Sequence, residues 1–94
     1  MPKVLIVEDN EMNRDMLSRR LTKRGYEVVM AIDGQQGIDM AVSEKPDIIL
    51  LDVEMPRMDG YEFARHVRNN AETVNVPIIM VTSRVSEKHR ARAI

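Results

Sequence analysis

Four short apolar runs recur along the chain, Val4–Val7, Val28–Ala31, Ile48–Leu51 and Ile78–Val81, and none alternates with polar residues. A strand with one wet face alternates. A strand covered on both faces reads as an unbroken run, the pattern of a parallel sheet. Helical segments separate the runs. The first spans about Glu11 to Arg24, with Asn10 as a candidate N-cap, Met16, Leu17 and Leu21 on one arc, and Gly25 as a stop. The second opens on the capping box Asp33-Gly34-Gln35-Gln36, turns Ile38 and Ala41 inward, and ends before Pro46. The third opens on a second capping box, Asp59-Gly60-Tyr61-Glu62, with Tyr61, Ala64 and Val67 on one side. A fourth starts near Ser86 and reaches Ile94. Strict β-α alternation with right-handed crossovers predicts an open α/β sheet with helices on both faces.

In such sheets the functional site lies beyond the carboxyl ends of the strands. Glu8 and Asp9 end the first run, Asp52 follows the third and Thr82 the fourth. Each has a plain structural reading. Glu8-Asp9 can cap a helix, Asp52 can start a turn, and threonine is common at strand ends. The three carboxylates together are harder to explain this way, because their mutual repulsion is costly unless a cation relieves it. A hard cation with oxygen ligands, magnesium, fits the residue types and leaves one Asp52 oxygen to attack phosphorus. Pro56 and Gly60 shape the loop after Asp52. His66 and His89 sit in polar runs and read as solvated, Met12 and Met16 read as packing, and Lys88, Arg90 and Arg92 make a weak nucleic-acid signal.

Composition narrows the remaining classes. A length of 94 residues predicts one domain, residues 1–94, with a thin stability margin. A net charge of −1 argues against nucleic acid or an anionic membrane as partner. With no cysteine there is neither a disulfide nor a thiolate site. The start Met1-Pro2-Lys3 fits no signal peptide and no run is long enough to span a bilayer, so a cytoplasmic location is expected. The chain has no glycine-rich loop after the first run, which removes the dinucleotide and P-loop classes.

From Lys3 to Ile94 the chain resembles a response-regulator receiver domain of two-component signalling. The resemblance rests on Val7-Glu8-Asp9-Asn10, on Asp52 with Met55-Pro56 and Asp59-Gly60, and on Val81-Thr82-Ser83, in order and at family-like spacing. It implies a flavodoxin-like doubly wound sheet, here a (βα)4 unit of strand order 2-1-3-4. It also implies Asp52 as phosphoacceptor, Thr82 as switch hydroxyl, and magnesium held by Glu8, Asp9, Asp52 and the Glu54 backbone carbonyl. The implied donor is a phosphohistidine on a sensor histidine kinase or phosphotransfer protein. The domain is then not an enzyme. An aspartate-nucleophile phosphohydrolase, the enzyme alternative, wants a second aspartate two positions after the nucleophile, where this chain has Glu54.

The family continues with a fifth strand, a lysine at its end and a fifth helix, roughly 25 residues by ordinary element lengths. The resemblance therefore implies a C-terminally incomplete domain with impaired phosphorylation. The fourth strand is expected to be a bare edge, Val and Ile side chains are expected to be exposed on one sheet face, and a homodimer through Ile78–Val81 and Val4–Val7 follows. The alternative function is an engineered or excised half-flavodoxin fragment that self-assembles and does not signal.

Overall fold

The computed structural model describes residues 1–52, 59–81 and 92–93. Its elements are β1 (Lys3–Val7), α1 (Glu11–Lys23), β2 (Glu27–Ala31), α2 (Gly34–Ser43), β3 (Ile48–Asp52), α3 (Gly60–Arg68), β4 (Ile78–Val81) and β5 (Arg92–Ala93). The four apolar runs are the four long strands to within a residue at either end. The helix starts are fixed by the residues read as caps. Asn10 Oδ1 accepts from the Asn13 amide at 3.0 Å, Asp33 Oδ1 from Gln36 at 2.8 Å, and Asp59 Oδ1 from Tyr61 at 2.9 Å. The return bond of the Asp33 box lands one residue early, with Gln36 Oε1 accepting from the Ile32 amide at 2.7 Å. Gly25 stops α1 at φ +91°, a left-handed conformation that suits glycine.

The sheet order is β2-β1-β3-β4-β5, and the first four strands run parallel. This is the flavodoxin-like order 2-1-3-4, with β5 added at the edge. The chain leaves β1 for β2 on one side and returns to β3 on the other, so the strand order reverses at the carboxyl ends of β1 and β3. Two expectations at the C-terminal end need correction. Arg92 and Ala93 pair antiparallel with Met80 and Ile79, so they do not belong to a helix reaching Ile94, and β4 is not a bare edge. A two-residue backbone pairing leaves no side-chain period to read. The predicted fourth helix start near Ser86, with Lys88 and His89, lies outside the described residues.

One sheet face is sealed. Leu5, Val7, Ile49, Leu51, Ile78 and Met80 lie side by side in register, beneath Ala41 of α2 and Phe63, Ala64 and Val67 of α3. The inner face of α3 differs from expectation at its start: Tyr61 is 65% exposed, and Phe63 is buried in its place. The other face is less complete. Val4 and Ile6 are buried, whereas Ile48, Leu50, Ile79 and Val81 are half-buried. The expected exposure of Val and Ile therefore falls on β3 and β4, and Val4–Val7 are covered and cannot supply an interface. Helix α1 carries no fully buried residue. Met12 is 81% and Met16 40% exposed, which corrects their reading as packing residues.

The close approach of α2 to β1 requires Gly37. A Cβ there would stand 2.8 Å from Val7 Cγ2 and 3.0 Å from Phe63 Cε1. Gly37→Ala is expected to destabilise the chain by about 1–2 kcal/mol, because overpacking a closed core outweighs the helix-propensity gain. A Cβ at Gly60 would crowd the flexible end of Met80 and lie in ordinary contact with Leu51, so Gly60→Ala should change stability by less than about 0.5 kcal/mol, since the Met80 methyl can move aside while alanine favours the helix. Urea unfolding of the two variants checks both. Equal losses would show that the two sites are equally tight.

At the amino edge of the sheet Lys3 is fully engaged. Its amide donates to Asp47 Oδ2 at 2.7 Å, and its Nζ donates to the Glu44 carbonyl at 3.0 Å and lies 3.5 Å from Glu27 Oε2. This cluster ties β1, β2 and the α2–β3 turn together, at the opposite end of the sheet from Asp52.

Candidate metal and phosphoacceptor site

β1 and β3 are neighbours, with Val7 opposite Leu51, so the residues that follow them meet at one corner of the sheet. One carboxylate oxygen from each of Glu8, Asp9 and Asp52 lies within 4.8 Å of the others. Glu8 is 1% and Asp52 2% exposed, while Asp9 faces solvent. The Glu8 amide donates to Ala31 O at 3.1 Å, which extends the β1–β2 pairing by one residue and directs the Glu8 side chain inward.

Glu8 is poorly satisfied there. Its Oε2 accepts from the Asn10 amide at 3.0 Å, but its buried Oε1 accepts no hydrogen bond among the described residues. The acidic neighbours can bond to it only through a shared proton. Burial, then the Asp52 carboxyl, push the Glu8 carboxyl from its ordinary 4.5 up to about 8, and the Asn10 amide opposes them. A buried carboxylate oxygen without a donor, beside two more carboxylates, fits a hard cation with oxygen ligands. The structure thus brings together three of the four expected metal ligands. The fourth, the Glu54 carbonyl, lies outside the described residues, as do Thr82, Ser83, Met55 and Pro56. His66 is exposed on α3.

Arg14 is a residue of this corner that the sequence pattern did not single out. From the first turns of α1 its Nη1 donates back to the Glu8 carbonyl at 3.0 Å and to the Asp9 carbonyl at 3.3 Å. The available signal was an arginine five and six positions after an acidic pair, on a helix beginning at Glu11.

Residues 4–94 match the response regulator receiver domain family, and the chain belongs to it. The response regulator MprA of Mycolicibacterium vanbaalenii is 39% identical over 88 residues, covering 94% of this chain and 37% of that protein. The chain thus spans little more than a third of the length of the curated relatives it matches. Among solved structures, the chemotaxis protein CheY4 of Vibrio cholerae is 40% identical with a TM-score of 0.82, covering 94% of this chain and 73% of that one. The receiver domain of the sensor histidine kinase PA1611 of Pseudomonas aeruginosa is 33% identical with a TM-score of 0.80, covering 93% and 71%. It was solved with a magnesium ion coordinated in its active site cleft. The response regulator TrrA, in complex with the histidine kinase ThkA, is 30% identical with a TM-score of 0.78, covering 94% and 74%. Receiver domains are signalling domains. No helix among the described residues is long and apolar enough to cross a membrane.

Proposed function

We propose that this chain is a phosphoacceptor unit of a two-component phosphorelay, taking a phosphoryl group on Asp52 from a phosphohistidine of a sensor kinase or phosphotransfer protein. The observation that carries the reading is the convergence of Glu8, Asp9 and Asp52 around Glu8 Oε1, which accepts no hydrogen bond among the described residues. Magnesium would be held by these three side chains and, as the resemblance implies, the Glu54 carbonyl, and when bound would supply the positive charge that phosphoryl oxygens need during transfer. Asp52 does the covalent chemistry. One carboxylate oxygen attacks phosphorus, the phosphorus–nitrogen bond breaks, and the imidazole leaves with the electron pair and takes up a proton. An acyl phosphate remains on Asp52. Burial at the end of β3 holds that carboxyl in one place and limits access by water. The Thr82 hydroxyl donates to a phosphoryl oxygen of the product, as the resemblance implies. The kinase complex of TrrA supports the partner class. A cytoplasmic setting and the lack of nucleic-acid binding by this unit belong to the same proposal.

The 94-residue chain is expected to label slowly. Among the described residues Lys3 is engaged at the far edge of the sheet and is no candidate for the lysine that the family resemblance implies, and an oriented cation beside the transferring group is worth a great deal in such chemistry. Incubation with acetyl phosphate, with magnesium or with EDTA, tests the function. Slow magnesium-dependent incorporation is the expected result. Rapid labelling in EDTA would contradict the assigned roles of the carboxylates.

A self-associating unit is the second reading, favoured by the half-buried Ile48, Leu50, Ile79 and Val81. Apolar burial of about 25 cal/mol per Å² makes a shared face stabilising. A weak homodimer through this face is expected by sedimentation at micromolar concentration, weakened by Leu50→Lys. A monomer at all concentrations would remove the reading and leave the phosphoacceptor proposal untouched.

A further inference from the structure

We infer that Arg14 is a positioning residue for the acidic corner: it clamps the peptide units that carry Glu8 and Asp9, and so sets the metal affinity of the site. The inference rests on the magnesium reading above and goes beyond it to a residue that touches no ligand. Arg14 lies one turn into α1, where its own amide donates to Asn10 O at 2.9 Å. Its half-buried side chain folds back beneath the same turn, and a single guanidinium nitrogen meets two successive carbonyls, Glu8 O and Asp9 O. A peptide unit is planar, so fixing a carbonyl fixes the plane and the following amide with it. Pinning two successive planes fixes the Cα–Cβ direction of Asp9, which lies between them. That matters most for Asp9, whose side chain is exposed and has the least packing to hold it.

Arg14 acts on the cation in two opposed ways. Its clamp holds the ligands in place. Its charge repels a divalent ion nearby. Groups that orient metal ligands without touching the metal typically contribute about 10–100-fold to affinity. A partly solvated charge beyond contact distance changes affinity by only about a few-fold. The clamp therefore outweighs the repulsion.

Calorimetric titration of the 94-residue chain with magnesium chloride, for the wild type, Arg14→Lys and Arg14→Met, tests this. Thermal melts in EDTA give the folded fraction of each. Both variants are expected to bind magnesium more weakly, Arg14→Met by about tenfold. Arg14→Lys should recover only part of the loss, because an ammonium can still donate to a carbonyl but lacks the planar donor geometry. Unchanged affinity per folded molecule in both variants, whatever their melting temperatures, would overturn the inference and reduce Arg14 to a structural role. Tighter binding by Arg14→Met would overturn it too, by showing that charge repulsion dominates. Full recovery in Arg14→Lys would overturn the planar clamp, since a single ammonium donor would then be enough. A wild-type chain that binds no magnesium would instead refute the metal reading, and the inference with it.

Discussion

Replacing Glu8 with glutamine is expected to stabilise the metal-free chain at neutral and alkaline pH while removing its response to magnesium. In the folded chain the Glu8 carboxyl titrates near 8, against an ordinary 4.5, chiefly because it is buried and then because Asp52 is beside it. Its folded value lies above its unfolded one, so the native state holds the extra proton between these limits. The Glu8 contribution is therefore most favourable below about pH 4.5, declines as pH rises through the window, and is level above about 8. Each tenfold difference in proton affinity between the folded and unfolded chain corresponds to about 1.4 kcal/mol, so the destabilisation at pH 8 is on the order of a few kcal/mol. Glutamine removes the buried charge and offers two N–H donors to the neighbouring carboxylates. Urea unfolding in EDTA, from pH 4.5 to 9, should show Glu8→Gln gaining on the wild type as pH rises. Saturating magnesium should restore the wild type and leave the variant unchanged. Parallel stability curves would mean that Glu8 is already ionised in the folded, metal-free chain.

Magnesium affinity of the wild type is expected to rise about tenfold per pH unit up to about pH 8 and then to level off. The carboxylate must lose its proton before it can ligate, so binding and proton release are linked one to one. The plateau falls where Glu8 ionises unaided. Calorimetry in two buffers of different ionisation enthalpy measures the released proton directly. A pH-independent affinity with no proton release would remove Glu8 from the ligand set. The expected consequence is weak metal uptake by the site in mildly acidic solution.

The four long strands were legible because each is a continuous apolar run, and the helix starts because Asn10, Asp33 and Asp59 carry side-chain oxygens at the right place. The corner of Glu8, Asp9 and Asp52 followed from the rule that such sheets build sites at their carboxyl ends. The Gln36 return bond strayed to Ile32 because a long side chain can satisfy either of two adjacent amides. Tyr61 and Phe63 were exchanged because both are aromatic and stand two positions apart near a helix start, where the packing angle and not the residue type selects the inner face. β5 has two residues and pairs through backbone alone, so no residue pattern announced it. Arg14 was missed for a related reason. Its partners are carbonyls, which every residue possesses, and the turn of the chain that brings them within reach is a property of the folded backbone.

If the acidic corner serves to put a phosphoryl group on Asp52, the label must be found on that residue. The chain is incubated with acetyl phosphate and magnesium, any acyl phosphate is trapped by borohydride reduction, and the modified peptide is sequenced by mass spectrometry, in parallel with Asp52→Asn. A single modified position, Asp52, and no label in the variant are expected. Label on Glu8 or Asp9, or label in Asp52→Asn equal to that of the wild type, would contradict it.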